Sequence, residues 1–441
     1  MGYERKRGKL ADLNAFLRGD AADAFSLIVG NTDGLTNVRY VITLDTDTEL
    51  PRDSARKFVA TMAHPLNRPQ YDEKNASGSV KVTASCNRAW QSACQAPTHR
   101  VMNCFAVAKL VSIRTPAPRP MSIRMYSAKD RSSARASTMS TPSNMRCTTA
   151  CLKNRILSHD LLEGCYARSG LLSDVQLYEA YPSCYSADVS RRHRWIRGDW
   201  QIASWLLPRV PGARDASTGK LRRHRNPLSA LSRWKLFDNL RRSVVPFALT
   251  ALLLIGWSTL PSAWFWTCAV LGILLIPSVC TFIFNLARLP EDVLFRQHFS
   301  ALLRSTTQYF THAALTLIFL PYEAWFNLDA ILRTLWRILC SHRGLLEWNP
   351  SSEANRQSGN GLYSYYRAMW IAPVLAVATT AYLIADNQNA LQAATPILLL
   401  WCLSPAIACW ISRPIGRRAA HLSNEQTRFL KSLSRKMWLF F

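Results

Sequence analysis

"VVPFALTALLLIGWSTL" (244–260) and "AWFWTCAVLGILLIPSVCTFIFNL" (263–286) decide the fold. Both are uncharged, and both approach the roughly 20 residues that cross the hydrocarbon core of a bilayer. Only Pro261 and Ser262 separate them, so they read as a transmembrane hairpin. A second pair, "MWIAPVLAVATTAYLIA" (369–385) and "ATPILLLWCLSPAIACWIS" (394–412), repeats the pattern. Between the pairs lies "YFTHAALTLIFLPYEAWF" (309–326), with Tyr, Trp and an internal Pro.

Charge orders these segments. The loops 261–262 and 386–393 contain no Lys or Arg, whereas "KLRRHR", "ARLPEDVLFR", "RTLWRILCSHR" and "RPIGRR" are basic. Cytosolic loops hold the excess of Lys and Arg, so the basic flanks are placed in the cytosol. Both flanks of 309–326 are then cytosolic, which makes that segment an interfacial or re-entrant helix. Four spans with both ends cytosolic is the expectation, with membrane lipids as partners. The whole chain has 54 Lys+Arg against 28 Asp+Glu, a net charge of +26. Such a balance attracts nucleic acid, membrane surfaces or anionic substrates. No recognition module accompanies "RSSARAS", so specific nucleic-acid binding is excluded. The start, "MGYERKRGKLADLN", has neither the apolar run of a signal peptide nor the Ser/Thr of a myristoylation site. The twelve cysteines show no CxxC pair and read as free thiols.

Upstream of the spans the pattern is that of a partial α/β, Rossmann-like sheet domain. "KLADLNAFLR" has helical spacing, "RYVITLD" is an apolar run of the kind that forms a buried parallel strand, and "LPRDSARKFVATMAHPL" reads as a helix. In open α/β sheets ligands bind at the carboxyl ends of strands. Asp45 and Asp47 sit there, one residue apart, and two such carboxylates hold a divalent metal, Mg²⁺ or Mn²⁺, facing a diphosphate. Asp160, in "LSHDLLEG", has two readings: a general base for an acceptor hydroxyl, or a helix N-cap. His159 beside it is structural. "RRHRWIRGDWQ" gathers Arg191, Arg192, Arg194 and Arg197 with Trp195 and Trp200. Guanidinium forks suit pyrophosphate and indole faces suit sugars, while the plainer reading is a basic amphipathic helix on a bilayer. Lys6 and Gly8 in "RKRGKLADLN" are either a basic helix start or a donor-facing lysine beside a glycine.

The order of these blocks resembles processive family-2-type membrane glycosyltransferases, whose DxD, (T)ED and QxxRW motifs stand here as "DTD", "HD" and "RRHRW", with Arg191 in place of the Gln. More closely, "YERKRGKLADLN", "VITLDTDTELPRD", "MAHPLNRP", "ILSHDLLEGCYARSG", "YSADVSRRHRWIRGDWQ", "LSRWKLFDNLRRS", "YYRAMWIAPVLA" and "LSPAIACWISRP" are similar to the glycosyltransferase region of cyclic β-1,2-glucan synthases. The resemblance implies a GT-A-like domain that transfers glucose from UDP-glucose, with inversion, onto a growing β-1,2-glucan at the bacterial inner membrane. It assigns Asp45 and Asp47 to the metal, Asp160 to the base, and Arg191, Arg194 and Trp195, with Lys6 and Gly8, to donor and acceptor binding. It also implies that residues 1–82 begin inside the family's domain and that other segments of a full synthase would complete it. Residues 153–215 continue the glycosyltransferase domain and 216–441 form the membrane region.

Residues 83–152 fit none of this. They hold five of the cysteines, one acid (Asp130) and the Pro-rich "RTPAPRP", without period or turn grammar. The family has a segment of the form FGEGSFIGKGIYDVDAF in this interval. Spelled in suitable synonymous codons and read one base later, it becomes "SAKDRSSARASTMSTPS", residues 127–143 without a mismatch. The reading is therefore that about 82–152 is an out-of-frame, disordered segment and that the chain as written does not catalyse. The alternative is a non-catalytic polytopic protein, a transporter or lipid binder. Against it, the four expected spans contain no ionisable residue.

Overall fold

The computed structural model describes residues 5–44, 48–67, 86–92, 156–287, 295–347, 361–413 and 423–440, less short gaps at 18, 20–21, 39, 158–159, 167–169, 180–181, 183 and 215–220. It is mostly helical. The helices expected from the apolar runs are present: α5 (Ala230–Ser258), α6 (Ala263–Ala287) and α10 (Gln388–Ser412) with longer bounds, and α9 (Ile371–Asp386) shifted by one or two residues. Among the described residues, four helices are long and apolar enough to cross a membrane. There are five if α8 (Leu362–Ala368) and α9, bent by 68° at their junction, form one span.

Local chemistry sets the hairpins. The Ser229 side chain accepts from Ser232 N and starts α5. At the tip between α5 and α6, Trp257 Nε1 donates to Thr267 Oγ1 at 2.8 Å. Gly256 lets the helices close there, because a Cβ at that position would lie 2.5 Å from Trp266 Cβ. Asn387 performs two tasks at the tip between α9 and α10. Its Oδ1 accepts from Ala390 N, capping α10, and its Nδ2 donates to Trp257 O at 3.1 Å. The two hairpin tips are thereby tied together, over an apolar cluster of Leu253, Trp257, Val270, Leu383, Ala394 and Trp401.

Residues 309–326 depart from expectation. They are not an interfacial or re-entrant piece but the middle of α7 (Phe295–Trp336), a continuous helix of 42 residues. Phe319 and Leu320 are wholly buried, and α7 packs on α5 and α10. Trp401 Nε1 donates to Leu317 O at 3.0 Å, and Asn327 Nδ2 to Ser243 O at 2.8 Å. Pro321 lacks the backbone N–H of an ordinary helical residue, yet the helix continues through it; packing on several sides offsets one lost hydrogen bond.

The described N-terminal residues hold one three-stranded sheet. Among the described residues β3 (Gly170–Glu179) is central, with β1 (Thr48–Glu49) antiparallel on one side and β2 (Cys86–Ser92) parallel on the other. The stretch 40–44, expected as a parallel strand, carries no ladder. Its Tyr40, Ile42 and Leu44 still pack inward at period two against Phe58, Met62, Val175 and Leu177. Those side chains join α2 (Ser54–Ala63) to β3. α1 (Arg5–Phe16) forms as its spacing predicts. β2 lies inside the segment expected to be without elements, and that expectation is corrected there; the remainder of 83–152 lies outside the described residues. A hairpin of β4 (Arg209–Arg214) and β5 (Leu221–Arg225) leads into α5.

Replacing Gly256 by Ala in an unconstrained helix would stabilise it by about 1 kcal/mol. Here the added methyl must displace Trp266, and overpacking of this kind costs about 1–3 kcal/mol. Gly256→Ala is therefore expected to lower the thermal unfolding midpoint of the detergent-solubilised protein. An unchanged or higher midpoint contradicts the close approach.

Candidate functional site

The helix α4 (Tyr185–Gln201) carries the arginine and tryptophan block. Successive residues turn by about 100°, so its side chains divide into two faces. Tyr185, Val189, Arg192 and Ile196, spaced as i, i+4, i+7 and i+11, form the face turned to α7, with His193 and Arg197 on its flank. Arg191, Arg194 and Trp195 fall within about 100° of one another on the other side.

The α7-facing side is a scaffold. Tyr185 stacks on Phe319 with centroids 4.5 Å apart, and its backbone N–H donates to Ser412 Oγ at the end of α10. Arg192 lies between Tyr185 and Phe326, with its guanidinium 5.8 Å and 5.3 Å from their ring centroids. Its Nη1 donates to Glu323 Oε1 at 2.6 Å, and its Nε lies 2.9 Å from Asp188 Oδ2. Burial opposes the charge on Arg192, but Glu323 and Asp188 more than offset it, and the guanidinium stays charged. Arg197 donates to the carbonyls of Gly344, Leu345 and Glu347, in the loop where the chain turns after α7. Burial, with Arg337 nearby, lowers its pKa from the usual arginine value. Arg337 pairs with Glu347 in the same loop. Trp200 Nε1 donates to Ser243 Oγ at 2.9 Å. Arg192, Arg197 and Trp200 thus serve the packing of α4.

The other face holds the residues assigned to substrate. The Arg191 guanidinium sits 4.9 Å from the Trp195 ring centroid and 3.3 Å from Asp188 Oδ1, so Asp188 anchors Arg191 and Arg192 together. Arg194 occupies the adjoining position on this face. All three are partly exposed.

Asp160 begins α3 (Asp160–Tyr166), in keeping with both readings of its "HD" context. Its helix is held against the end of α4. Leu157 N donates to Gln201 Oε1 at 2.6 Å, while Gln201 Nε2 donates to Leu345 O at 3.0 Å. Ile156 and Leu162 share an apolar cluster with Ile202, Trp205, Val210 and Leu236. One glutamine therefore connects the segment entering Asp160 to the loop following α7. Asp45 and Asp47 lie outside the described residues; they follow the extended run 40–44 and precede β1. Gly8 is buried within α1. Lys6 belongs to the same helix. Among the described residues no cluster of three His, Cys, Asp or Glu forms a metal site.

Sequence reasoning missed Glu323, Asp329 and Gln201. Glu323 left a visible signal, an acid inside the apolar run 309–326, where an ionisable group asks for a partner. With α7 among the candidate spans, the absence of ionisable residues no longer weighs against the transporter alternative; Glu323 is instead accounted for by Arg192.

The apolar helices make this a membrane protein, and a particular relative defines its kind. No protein-family model matches the chain. It is 30% identical over 456 residues to cyclic β-(1,2)-glucan synthase NdvB of Rhizobium meliloti (strain 1021), an alignment that takes in all of this chain and 15% of that protein. The resemblance read from the motifs is thereby shown: the chain is similar along its whole length to a region of that synthase. It spans about 15% of the length of this relative.

Two outcomes are expected. Glu323→Gln leaves the Arg192 charge without its counterpart on α7, and breaking such a buried pair costs about 3–5 kcal/mol. The thermal midpoint should fall sharply, with much of the loss recovered in Arg192→Met/Glu323→Leu. If the single change is neutral, the pair does not hold α4 on α7.

His193 Nε2 lies 2.9 Å from Asp329 Oδ2. Burial holds its imidazole below the ordinary value of 6.5, against the pull of Asp329. The unfolded chain then binds the proton first, so this stability is full above about pH 6.5 and is lost as pH falls through and below it. Thermal midpoints measured from pH 7.5 down to about pH 5 should fall less steeply in His193→Gln than in the parent.

Proposed function

We propose that the chain is the glycosyltransferase module of a cyclic β-1,2-glucan synthase, moving glucose from UDP-glucose with inversion at the bacterial cytoplasmic membrane. The similarity along the whole chain to a region of a glucan synthase carries this reading. The geometry of α4 supports it, because Arg191, Arg194 and Trp195 share one face of the helix, opposite Tyr185, Val189 and Ile196.

In this reading the GT-A-like domain lies in the cytosol. Asp160 takes the proton from the 2-hydroxyl of the terminal glucose as that oxygen attacks the anomeric carbon. UDP leaves from the opposite side, and one displacement inverts the configuration. Arg191 and Arg194 hold the diphosphate, and Trp195 offers an indole face to sugar. Lys6 and Gly8 lie toward the donor. The donor set of Asp45 and Asp47, two carboxylates one residue apart, fits a hard cation such as Mg²⁺ or Mn²⁺. When bound, the cation offsets the charge of the departing diphosphate.

The chain as written is proposed to be inactive, because the out-of-frame reading of about 82–152 replaces the family's residues there, β2 included, with others that would not set Asp160 against the donor. A displacement of about 1 Å at a reacting group costs on the order of 100-fold in rate. The test compares membranes containing the chain as written with membranes containing a frame-restored version, supplied with radiolabelled UDP-glucose and Mg²⁺ or Mn²⁺. Incorporation into β-1,2-glucan is expected only with the restored chain, falling at least 100-fold in its Asp160→Asn variant. Equal incorporation by both would overturn the inactivity. No incorporation by a restored chain shown to reside in the membrane would overturn the transferase reading.

A further inference from the structure

The helix α11 (Asn424–Phe440) has no role in the site above, and its exposure is unusual for its composition. Its residues 424–439 are exposed apart from partly buried Thr427, although Phe429 is 66% exposed, Met437 58% and Trp438 83%. At about 100° per residue, Phe429, Leu430, Leu433 and Met437 fall within an arc of about 100°. Arg428, Lys431 and Arg435 gather within about 60° on the other side, where Trp438 and Leu439 flank them, while Lys436 borders the apolar arc beside Phe429. Glu425 is the sole acid in the helix.

The helix start is encoded locally. Ser423 Oγ accepts from Gln426 N, and Gln426 Oε1 accepts from Ser423 N, a reciprocal box that satisfies two early donors. An apolar stripe opposite a cationic one is the arrangement of a helix lying in the interface plane of a bilayer, its apolar face among the acyl chains and its cations at the headgroups. The link from α10 supports this placement. Residues 413–423 connect the end of that apolar helix to α11 and include Arg413, Arg417 and Arg418. Eleven extended residues reach at most about 40 Å, so α11 stays near the membrane surface where α10 emerges.

We propose that α11 is an interfacial helix that docks on anionic phospholipid of the bilayer holding α5 to α10. Four cations against one acid select an anionic surface over a zwitterionic one, since each Lys or Arg near such a surface adds to the attraction.

The test is hydrogen–deuterium exchange on the full chain in nanodiscs of phosphatidylglycerol or of phosphatidylcholine alone. Amides of 428–439 should exchange at least 10-fold more slowly in the anionic discs. Reversing Arg428, Lys431, Arg435 and Lys436 to Glu should abolish the difference, while α10 keeps its protection as the internal control for folding. Equal exchange in both lipids would overturn the proposal. Protection that persists in phosphatidylcholine and after charge reversal would do so as well, showing that α11 packs on protein instead.

Discussion

The guanidinium of Arg192 is the charge on which the junction between α4 and α7 depends. It is boxed by two aromatic rings and by carboxylates from both helices, Asp188 on its own and Glu323 on its neighbour. A buried pair is a weak source of net stability, because desolvation consumes most of the attraction, but it is specific. It penalises a slip of α4 along α7, since each partner would then be left charged and unmatched. The adjacent His193–Asp329 contact and the Arg197 bonds to three loop carbonyls repeat the constraint further along the helix. Together they fix both the height and the rotation of α4.

That rotation connects packing to chemistry. With Tyr185, Arg192 and Ile196 turned to α7, Arg191, Arg194 and Trp195 are necessarily directed elsewhere, and Asp188 reaches both arginines. A helix that carried only substrate ligands would have no reason to hold one orientation. Gln201 extends the same device, tying the segment before Asp160 to the loop after α7. The proposed base and the arginine face therefore rest on one scaffold, anchored in the apolar helices rather than in the sheet.

Local signals made much of this legible and long-range ones did not. The uncharged runs located α5, α6, α9 and α10, because desolvating a charge in hydrocarbon is so costly that composition alone marks a span. The same logic misread 309–326: its Pro and its basic flanks suggested a surface segment, whereas packing carried the helix through Pro321. Within "RRHRWIRGDWQ" the sequence displays four arginines of equal standing. The partners of Arg192 and Arg197 on α7 and the following loop are far away in sequence, Glu323 lying 131 positions from Arg192. None of the five strands was foreseen, since short ladders depend on pairing that no local period reveals. Asp45 and Asp47 are known from the sequence alone.

A chain that keeps this scaffold beside a segment in the wrong frame is the central claim, and it belongs to the coding DNA as much as to the protein. Resequencing the gene across codons 75–160 tests it most directly. The account predicts a one-base offset near codon 82 and its compensation near codon 152, with a family-like frame between them. An unbroken frame with no better alternative across that interval would contradict it, and 83–152 would then be a natural insertion.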